Sequence, residues 1–156
     1  MSLNIVLYQP DIPQNTGNIS RTCAATETTL HLIKPLGFSI DEKHVRRAGL
    51  DYWHLLDLHV YENFEEFVEK NNDPKIYLAT IHGRKSYADI KFEEDTYIMF
   101  GKETAGLPDE IVETYKDTTI RVPMSKNEGA RCLNLSNTVA IILYEALRQQ
   151  DFLDFK

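Results

Sequence analysis

The chain has 156 residues, of which 42% are hydrophobic and 26% are charged, and its formal net charge is −7. These values are ordinary for a soluble globular protein, and the length fits one domain over residues 1–156 that needs no disulfide bonds. No apolar run approaches membrane-spanning length. Cys23 and Cys132 lie far apart and in no metal-binding spacing. With no signal peptide, they predict reduced thiols in a cytoplasmic protein.

The negative charge counts against nucleic acid as a partner, because phosphate contacts supply most of the affinity of such proteins. A local basic patch can nevertheless meet the phosphates, and Lys43–Arg47 is the candidate. The alternative for this segment is a solvated helix face.

Short apolar, β-branched segments alternate with helical patterns along the chain. Helices are predicted around Phe64, Phe67 and Val68, which have i, i+3, i+4 spacing, and over Leu107–Lys116, which opens with a proline and two acids. The predicted strands are Leu3–Tyr8, Leu30–Lys34, Leu55–Tyr61, Ile76–Thr80, Thr96–Phe100 and Thr118–Val122. This alternation predicts an α/β fold with a mostly parallel sheet flanked by helices.

The last predicted helix, Asn134–Gln150, is apolar on two sides. Three apolar residues, Ala140, Ile141 and Tyr144, lie off its main stripe. The main stripe has 3.6-residue spacing and contains Leu135, Val139, Ile142, Leu143, Ala146 and Leu147. If the stripe packs on the chain's own sheet, a second subunit is the simplest cover for the other side, which predicts a homodimer. The alternative is a helix buried wholly within its own domain.

The segment Pro13–Ala25 follows a strand and leads into a helix that Asn15 or Asn18 is predicted to cap. Arg21 points about 200° away from Ile19, toward solvent or a site. The alternative is a capping residue followed by an ordinary surface arginine.

The segment Gly101–Pro108 has two glycines five positions apart at the carboxyl end of a predicted parallel strand. Ligands bind at this edge in α/β proteins. The segment is not a phosphate-binding P-loop, because Leu107 stands where that motif needs lysine, and it lacks the dinucleotide pattern G-x-G-x-x-G. The alternative is an ordinary strand-to-helix turn.

A third polar stretch runs from Val122–Met124 through the charged Ser125–Arg131 to Cys132–Asn137. Asn134 and Ser136 suit capping of the last helix, but capping explains one polar residue and not the whole cluster. No metal site is expected, because the five histidines form no ligand spacing: His31, His44, His54, His59 and His82.

These three stretches together resemble the SPOUT class of RNA methyltransferases. Asn15–Arg21 resembles the first motif as N-x-x-x-x-x-R, Gly101–Pro108 the second as G-x-E-x-x-G-L-P, and P-M followed by L-N-L-S at Leu133–Ser136 the third. Asn4–Pro10 and Arg46–Tyr52 are similar as well, so the resemblance spans nearly the whole chain. It is strongest to the smallest members, the tRNA 2′-O-methyltransferases that modify the wobble nucleotide.

The resemblance implies a deep trefoil knot in the C-terminal half and S-adenosylmethionine as the cofactor. The implied reaction is 2′-O-methylation of the wobble cytidine or uridine in a tRNA anticodon stem-loop. Two alternatives stay open. One is ribosomal RNA as the substrate, although such relatives often carry an extra RNA-binding domain. The other is a non-catalytic RNA- or nucleotide-binding module on the same scaffold.

The resemblance also implies roles for single residues. Arg21 corresponds to an arginine that has been described as a base, but a guanidinium stays protonated, so we expect a phosphate clamp. Asn15, Glu103, Asn134 and Ser136 would orient Arg21 and the sugar. Because Arg21 and the knot loops lie in different halves of the chain, one site could combine residues from two subunits. The implied cofactor contacts are Ala79, Thr80, Gly101, Glu103, Val122, Met124, Cys132 (where relatives often have serine) and Leu133.

Overall fold

Seven strands form one sheet in which every pairing between neighbours is parallel. The computed structural model describes residues 2–41, 43, 52–127, 129 and 132–156. The order across the sheet is β3-β2-β1-β6-β4-β7-β5, which confirms the predicted α/β class. The strands are β1 (Asn4–Tyr8), β2 (Thr29–Ile33), β3 (Leu58–Tyr61), β4 (Ile76–Ala79), β5 (Lys85–Ser86), β6 (Tyr97–Phe100) and β7 (Thr119–Arg121).

Helices cover both faces of this sheet, and their start signals are local. Pro13 opens the first helix, Asn63 caps the second by accepting from the Glu66 N–H, and Asn134 caps the last by accepting from the Ser136 N–H. No helix within the described ranges is long and apolar enough to cross a membrane. Among the described residues, the α-helices with described bounds are α1 (Pro13–Ala25), α2 (Phe64–Lys70), α3 (Asp109–Thr114) and α4 (Leu135–Gln149).

Two apolar cores lie on opposite faces of the sheet. One joins α1 and α4 to the sheet through side chains such as Ile19 and Leu143, and the other joins α2 and α3 through Phe67 and Ile111. All these side chains are buried. Because helices cover both faces of the sheet, the strands bury apolar side chains on both faces, as is typical of parallel sheets.

The main stripe of α4 is buried as predicted, from Val139 to Leu147, while Leu135 is partly buried against the same core. The off-stripe side is more open. Ala140 and Ile141 are partly buried, and Tyr144 exposes 49% of its surface. A single chain therefore leaves one side of α4 incompletely covered.

Two predictions about local structure are wrong, and one strand was not predicted. The predicted strand Leu55–Tyr61 is too long, because the Leu56 N–H bonds to the Trp53 carbonyl and closes a 3-10 turn before β3 begins. The two-residue β5 was not predicted, since so short an edge strand has no periodicity. Neither Asn15 nor Asn18 caps α1, because Pro13 already fixes the first turn and Ile12 takes the capping position.

Some sequence predictions lie outside the described residues. Of the basic patch Lys43–Arg47 only Lys43 is described, and of the run Arg46–Tyr52 only Tyr52 is described. In the charged stretch Ser125–Arg131, the structure describes residues 125–127 and Gly129. The deep trefoil knot stays a prediction from the family resemblance.

Candidate active site

A cavity of about 890 Å³ opens at the carboxyl-terminal edge of β4, β6 and β7. These strands are neighbours in the sheet and run in parallel, so the loops that follow them meet at one edge. All eight residues predicted to contact the cofactor line this cavity: Ala79, Thr80, Gly101, Glu103, Val122, Met124, Cys132 and Leu133. The structure brings them together, and their contact with a cofactor stays a prediction.

The loop after β6 is folded tightly on itself. The Gly106 N–H donates to the Lys102 carbonyl at 2.8 Å, and Gly106 has φ +68°, where glycine is favoured. A side chain at Gly101 would come within 2.2 Å of the Gly106 carbonyl carbon. The two glycines of the second motif are therefore required by this turn, which holds backbone groups at the cavity wall.

The cavity wall is apolar in part. Four large apolar side chains line it while exposing between 38% and 53% of their surface: Ile12, Ile81, Met124 and Leu133. Exposed apolar surface inside a concave site is typical of a ligand pocket. The volume and this mixed lining suit a small-molecule ligand that has both apolar and polar parts.

Glu103 fastens the second motif to the start of α1. Its carboxylate accepts from the Asp11 N–H at 2.8 Å, from the Ile12 N–H at 3.3 Å and from Asn15 Nδ2 at 3.3 Å. The backbone N–H groups at a helix start favour a negative charge. Glu103 thus fixes one end of the Asn15 side chain.

Asn134 fixes the other end of Asn15. Asn134 Nδ2 donates to Asn15 Oδ1 at 3.0 Å, and Asn134 Oδ1 accepts from the Ser136 N–H at 2.8 Å and from Ser136 Oγ at 2.5 Å. One polar chain therefore runs from Glu103 through Asn15 and Asn134 to Ser136. It joins all three motifs at the cavity, since the first three of these residues line it.

Two further residues, Asp11 and Thr104, join this polar chain, and the sequence analysis did not identify them. Thr104 Oγ1 donates to Asp11 Oδ2 at 2.6 Å, next to the bond between the Asp11 N–H and Glu103. The Asp11–Thr104 pair is separated by 93 positions. No local pattern signals a contact at that distance, and neither residue lies at a motif position that the resemblance singled out.

Arg21 lies away from the cavity of its own chain. It follows Asn15 by about 9 Å along α1 and stands about 120° around the helix from it. It is exposed, and its guanidinium carbon lies 4.6 Å from the centre of the Tyr52 ring. The structure brings Asn15, Glu103, Asn134 and Ser136 together and does not bring Arg21 to them.

Charged side chains of both signs line the rest of the cavity. Arg121 donates from Nη1 to the Gly83 carbonyl at 2.8 Å, while Arg84 pairs with Asp117 at 2.9 Å.

Cys23 is buried in the core beside α4, which raises the pKa of its thiol to about 12 and makes it inert. No group of three or more metal-binding side chains occurs in the part of the chain that the structure describes.

Several known proteins are similar to this chain in sequence and fold. The tRNA (cytidine(34)-2′-O)-methyltransferase of Methylovorus glucosotrophus is 47% identical over 150 residues, which are 96% of this chain and 96% of that protein. A solved structure described as giving insight into the 2-OH methylation of C/U34 on tRNA is 40% identical, with a TM-score of 0.88 over 96% of this chain and 97% of that one.

A more distant neighbour holds a cofactor. The SpoU methyltransferase AviRb from Streptomyces viridochromogenes, in complex with AdoMet, is 27% identical, with a TM-score of 0.77 over 95% of this chain and 57% of that one. A model of the SpoU rRNA Methylase family matches residues 2–144. Because this match covers most of the chain and the Methylovorus relative aligns over nearly its full length, the chain belongs to the SpoU rRNA methylase family.

Proposed function

We propose that this protein uses S-adenosylmethionine to methylate the ribose 2′-hydroxyl of the wobble nucleotide, cytidine or uridine, in a tRNA anticodon loop. The observation that carries the proposal is the polar chain from Glu103 to Ser136, which joins three motifs at a ligand-sized cavity. Full-length relatives with the corresponding names and structures support the choice of substrate.

The cavity fits the methyl donor. S-adenosylmethionine carries a methyl group on a positively charged sulfur, already activated for transfer. The apolar side chains of Ile81, Met124 and Leu133 suit the adenine ring, while backbone groups near Gly101 and Val122 suit its polar edges and the ribose. The AdoMet-bound AviRb neighbour supports this assignment.

The chain's own residues must place the ribose hydroxyl and stabilise the charge that develops as its proton passes to a water molecule held at Ser136. Positioning of this kind can supply ~7–11 kcal/mol of a barrier. The Ser136 hydroxyl donates to Asn134, so its oxygen still has a lone pair that can accept from a ribose hydroxyl or a water. Asn134 and Asn15 hold Ser136 in that orientation.

We propose that Arg21 serves the site of a partner subunit in a homodimer. Arg21 faces away from its own cavity, while the incompletely covered side of α4 offers a surface for a second copy. In the shared site Arg21 would hold the phosphate next to the reacting ribose and stabilise the developing alkoxide. Arg21→Ala should then abolish turnover, and Arg21→Lys should restore little of it, because lysine lacks the planar fork.

The net charge of the chain limits which RNA substrates it can bind tightly. A net charge of −7 disfavours tight binding along a long duplex, which needs many phosphate contacts. A compact loop with splayed bases needs only a few phosphate contacts. The candidate cations are Arg21, Lys43–Arg47, Lys102, Arg121, Lys126 and Arg131.

We place the enzyme in the cytoplasm, where tRNA is modified and where Cys23 and Cys132 stay reduced.

The test is direct methylation. Pure protein and S-adenosylmethionine are incubated with unmodified anticodon stem-loops, whole tRNAs and ribosomal RNA, and the product is mapped by mass spectrometry. A methyl group on the wobble ribose is expected. A methyl group on a base, on ribosomal RNA alone or elsewhere in the tRNA would contradict the assignment. Binding of the cofactor without any transfer would favour a non-catalytic module.

A further inference from the structure

Tyr52 contacts α1 at two points that lie one helical turn apart. Its hydroxyl donates to the Gly17 carbonyl at 2.8 Å, and the face of its ring lies 4.6 Å from the guanidinium carbon of Arg21. Because residues 17 and 21 are i and i+4 on one helix face, the tyrosine lies along the helix under the arginine. The ring faces the guanidinium, and the hydroxyl makes a separate contact with the same helix at Gly17.

This contact suits a guanidinium that must bind an anion. A guanidinium over a ring face keeps its N–H groups in its own plane, so they stay available for a phosphate. Among the residues that the structure describes, no carboxylate forms an ion pair with Arg21. Within this described part of the chain, the partner of the cation is the neutral Tyr52 ring, which does not compete for its hydrogen bonds.

We propose that Tyr52 is a positioning residue for RNA binding, which holds the Arg21 guanidinium with its N–H edge toward a phosphate of the substrate. The inference rests on the proposed role of Arg21 and adds a second residue to it. An exposed arginine samples many rotamers, and ordering it before binding removes part of the entropic cost that the RNA contact would otherwise carry.

Two substitutions separate the ring from the hydroxyl. Tyr52→Phe keeps the ring and loses the bond to Gly17, whereas Tyr52→Gln keeps a donor and loses the ring. We expect Tyr52→Gln to weaken binding of an anticodon stem-loop about two- to fivefold, as an exposed cation–π contact predicts. We expect its kcat to fall about tenfold or more, because a misplaced clamp costs more in the transition state. Tyr52→Phe should retain most of both, and the Kd for S-adenosylmethionine should stay constant throughout.

A double-variant cycle tests whether Tyr52 acts through Arg21. Stem-loop binding is measured by fluorescence anisotropy for Tyr52→Gln, Arg21→Ala and the combined variant, so the readout does not need turnover. The combined variant should bind no more weakly than Arg21→Ala alone. Additive losses would overturn the inference, as would unchanged binding and kcat in a folded Tyr52→Gln variant.

Two controls cover a variant that fails to fold and a proposed role of Arg21 that is wrong. If Tyr52→Gln fails to fold by circular dichroism, Tyr52→Phe still tests the inference, because a tenfold loss of RNA affinity in that folded variant would show that the ring is not the essential group. Arg21→Ala measured in parallel separates the two proposals. Normal methylation by Arg21→Ala removes the assigned role of Arg21, whereas an inactive Arg21→Ala beside an unaffected Tyr52→Gln removes only the role of Tyr52.

Discussion

Asn15 is held at both ends of its amide, by Glu103 on one side and by Asn134 on the other. The Glu103 carboxylate can only accept a hydrogen bond, and the Asn134 NH₂ group can only donate one. The Asn15 nitrogen must therefore face Glu103 and its oxygen must face Asn134, which fixes the orientation of the amide. Because Glu103 also accepts from two backbone N–H groups at the start of α1, its charge organises both the helix start and the first motif.

Replacing Glu103 by glutamine tests this organisation. Glu103→Gln puts an NH₂ group against N–H donors and removes the negative charge at the helix start. We expect kcat for methyl transfer to fall at least about tenfold, and the free energy of unfolding in urea to fall by ~1.5–3 kcal/mol. Glu94→Gln, at an exposed position away from the cavity, is the matched control. Wild-type turnover in Glu103→Gln would remove Glu103 from the site.

The sequence predicted these residues through their motifs and could not predict how they are joined. Asn15 was one of two residues predicted to cap α1, the other being Asn18, because a polar residue near a helix start usually does so. Its actual partners stand 88 and 119 positions away. Only the strand order, with β6 beside β1, brings the loop after β6 to the start of α1. Side-chain pairing at such separation leaves no periodic signal in one sequence.

The strands β1, β2 and β3 are linked by a buried histidine. His31 Nδ1 lies 2.8 Å from Tyr61 Oη, and Nε2 lies 3.0 Å from Asn4 Oδ1. The ring is only 3% exposed. His31 is therefore a structural residue, and it ties three strands together on the face opposite α1 and α4.

The buried His31 predicts a loss of stability in acid. Burial, aided by the nearby His59, lowers the pKa of His31 from 6.5 to about 4. Between these values the unfolded chain binds the proton and the folded chain does not. The contribution of His31 to the free energy of unfolding is therefore complete above pH 6.5. It is lost as the pH falls toward 4, and the loss reaches about 3 kcal/mol. Urea unfolding measured across this range should show a much flatter profile for His31→Gln than for wild type, whereas His54→Gln, at an exposed site, should follow wild type. Parallel profiles for wild type and His31→Gln would rule out His31 as the source.

The helices and strands followed from the sequence where periodicity was strong. The stripe of α4 and the alternation of apolar segments with helical patterns predicted the layers of the fold. The predicted strand Leu55–Tyr61 began too early, because Leu55 ends the 3-10 turn Trp53–Leu55 and exposes 67% of its surface. A short apolar run does not distinguish a strand from a turn, because three or four residues carry no period.

The exposed side of α4 makes the assembly testable at the scale of the whole molecule. Tyr144→Asp places a charge on that side, beside the partly buried Ala140 and Ile141. A stable interface should bury at least ~1,000 Å² of mostly apolar surface, so this charge should weaken it strongly. Light scattering should show twice the 18.0 kDa chain mass for wild type and a shift toward the single-chain mass for Tyr144→Asp. Asn72→Asp adds the same charge at an exposed position after α2 and should leave the dimer intact. A wild-type monomer at micromolar concentration would contradict both the dimer and the shared site.

A shared site also predicts that two inactive variants rescue each other. In a mixed dimer of Arg21→Ala and Glu103→Gln subunits, one site receives both lesions, and the other pairs an intact Arg21 with an intact Glu103. Random exchange makes half of the dimers mixed, each with one good site, so methylation should return to about a quarter of the wild-type rate. Differently tagged subunits are exchanged, the mixed dimers are confirmed by sequential affinity purification, and the rate is measured on a stem-loop. If Arg21 instead serves the cavity of its own chain, every site in the mixture keeps one lesion, and the mixture stays as inactive as its parents.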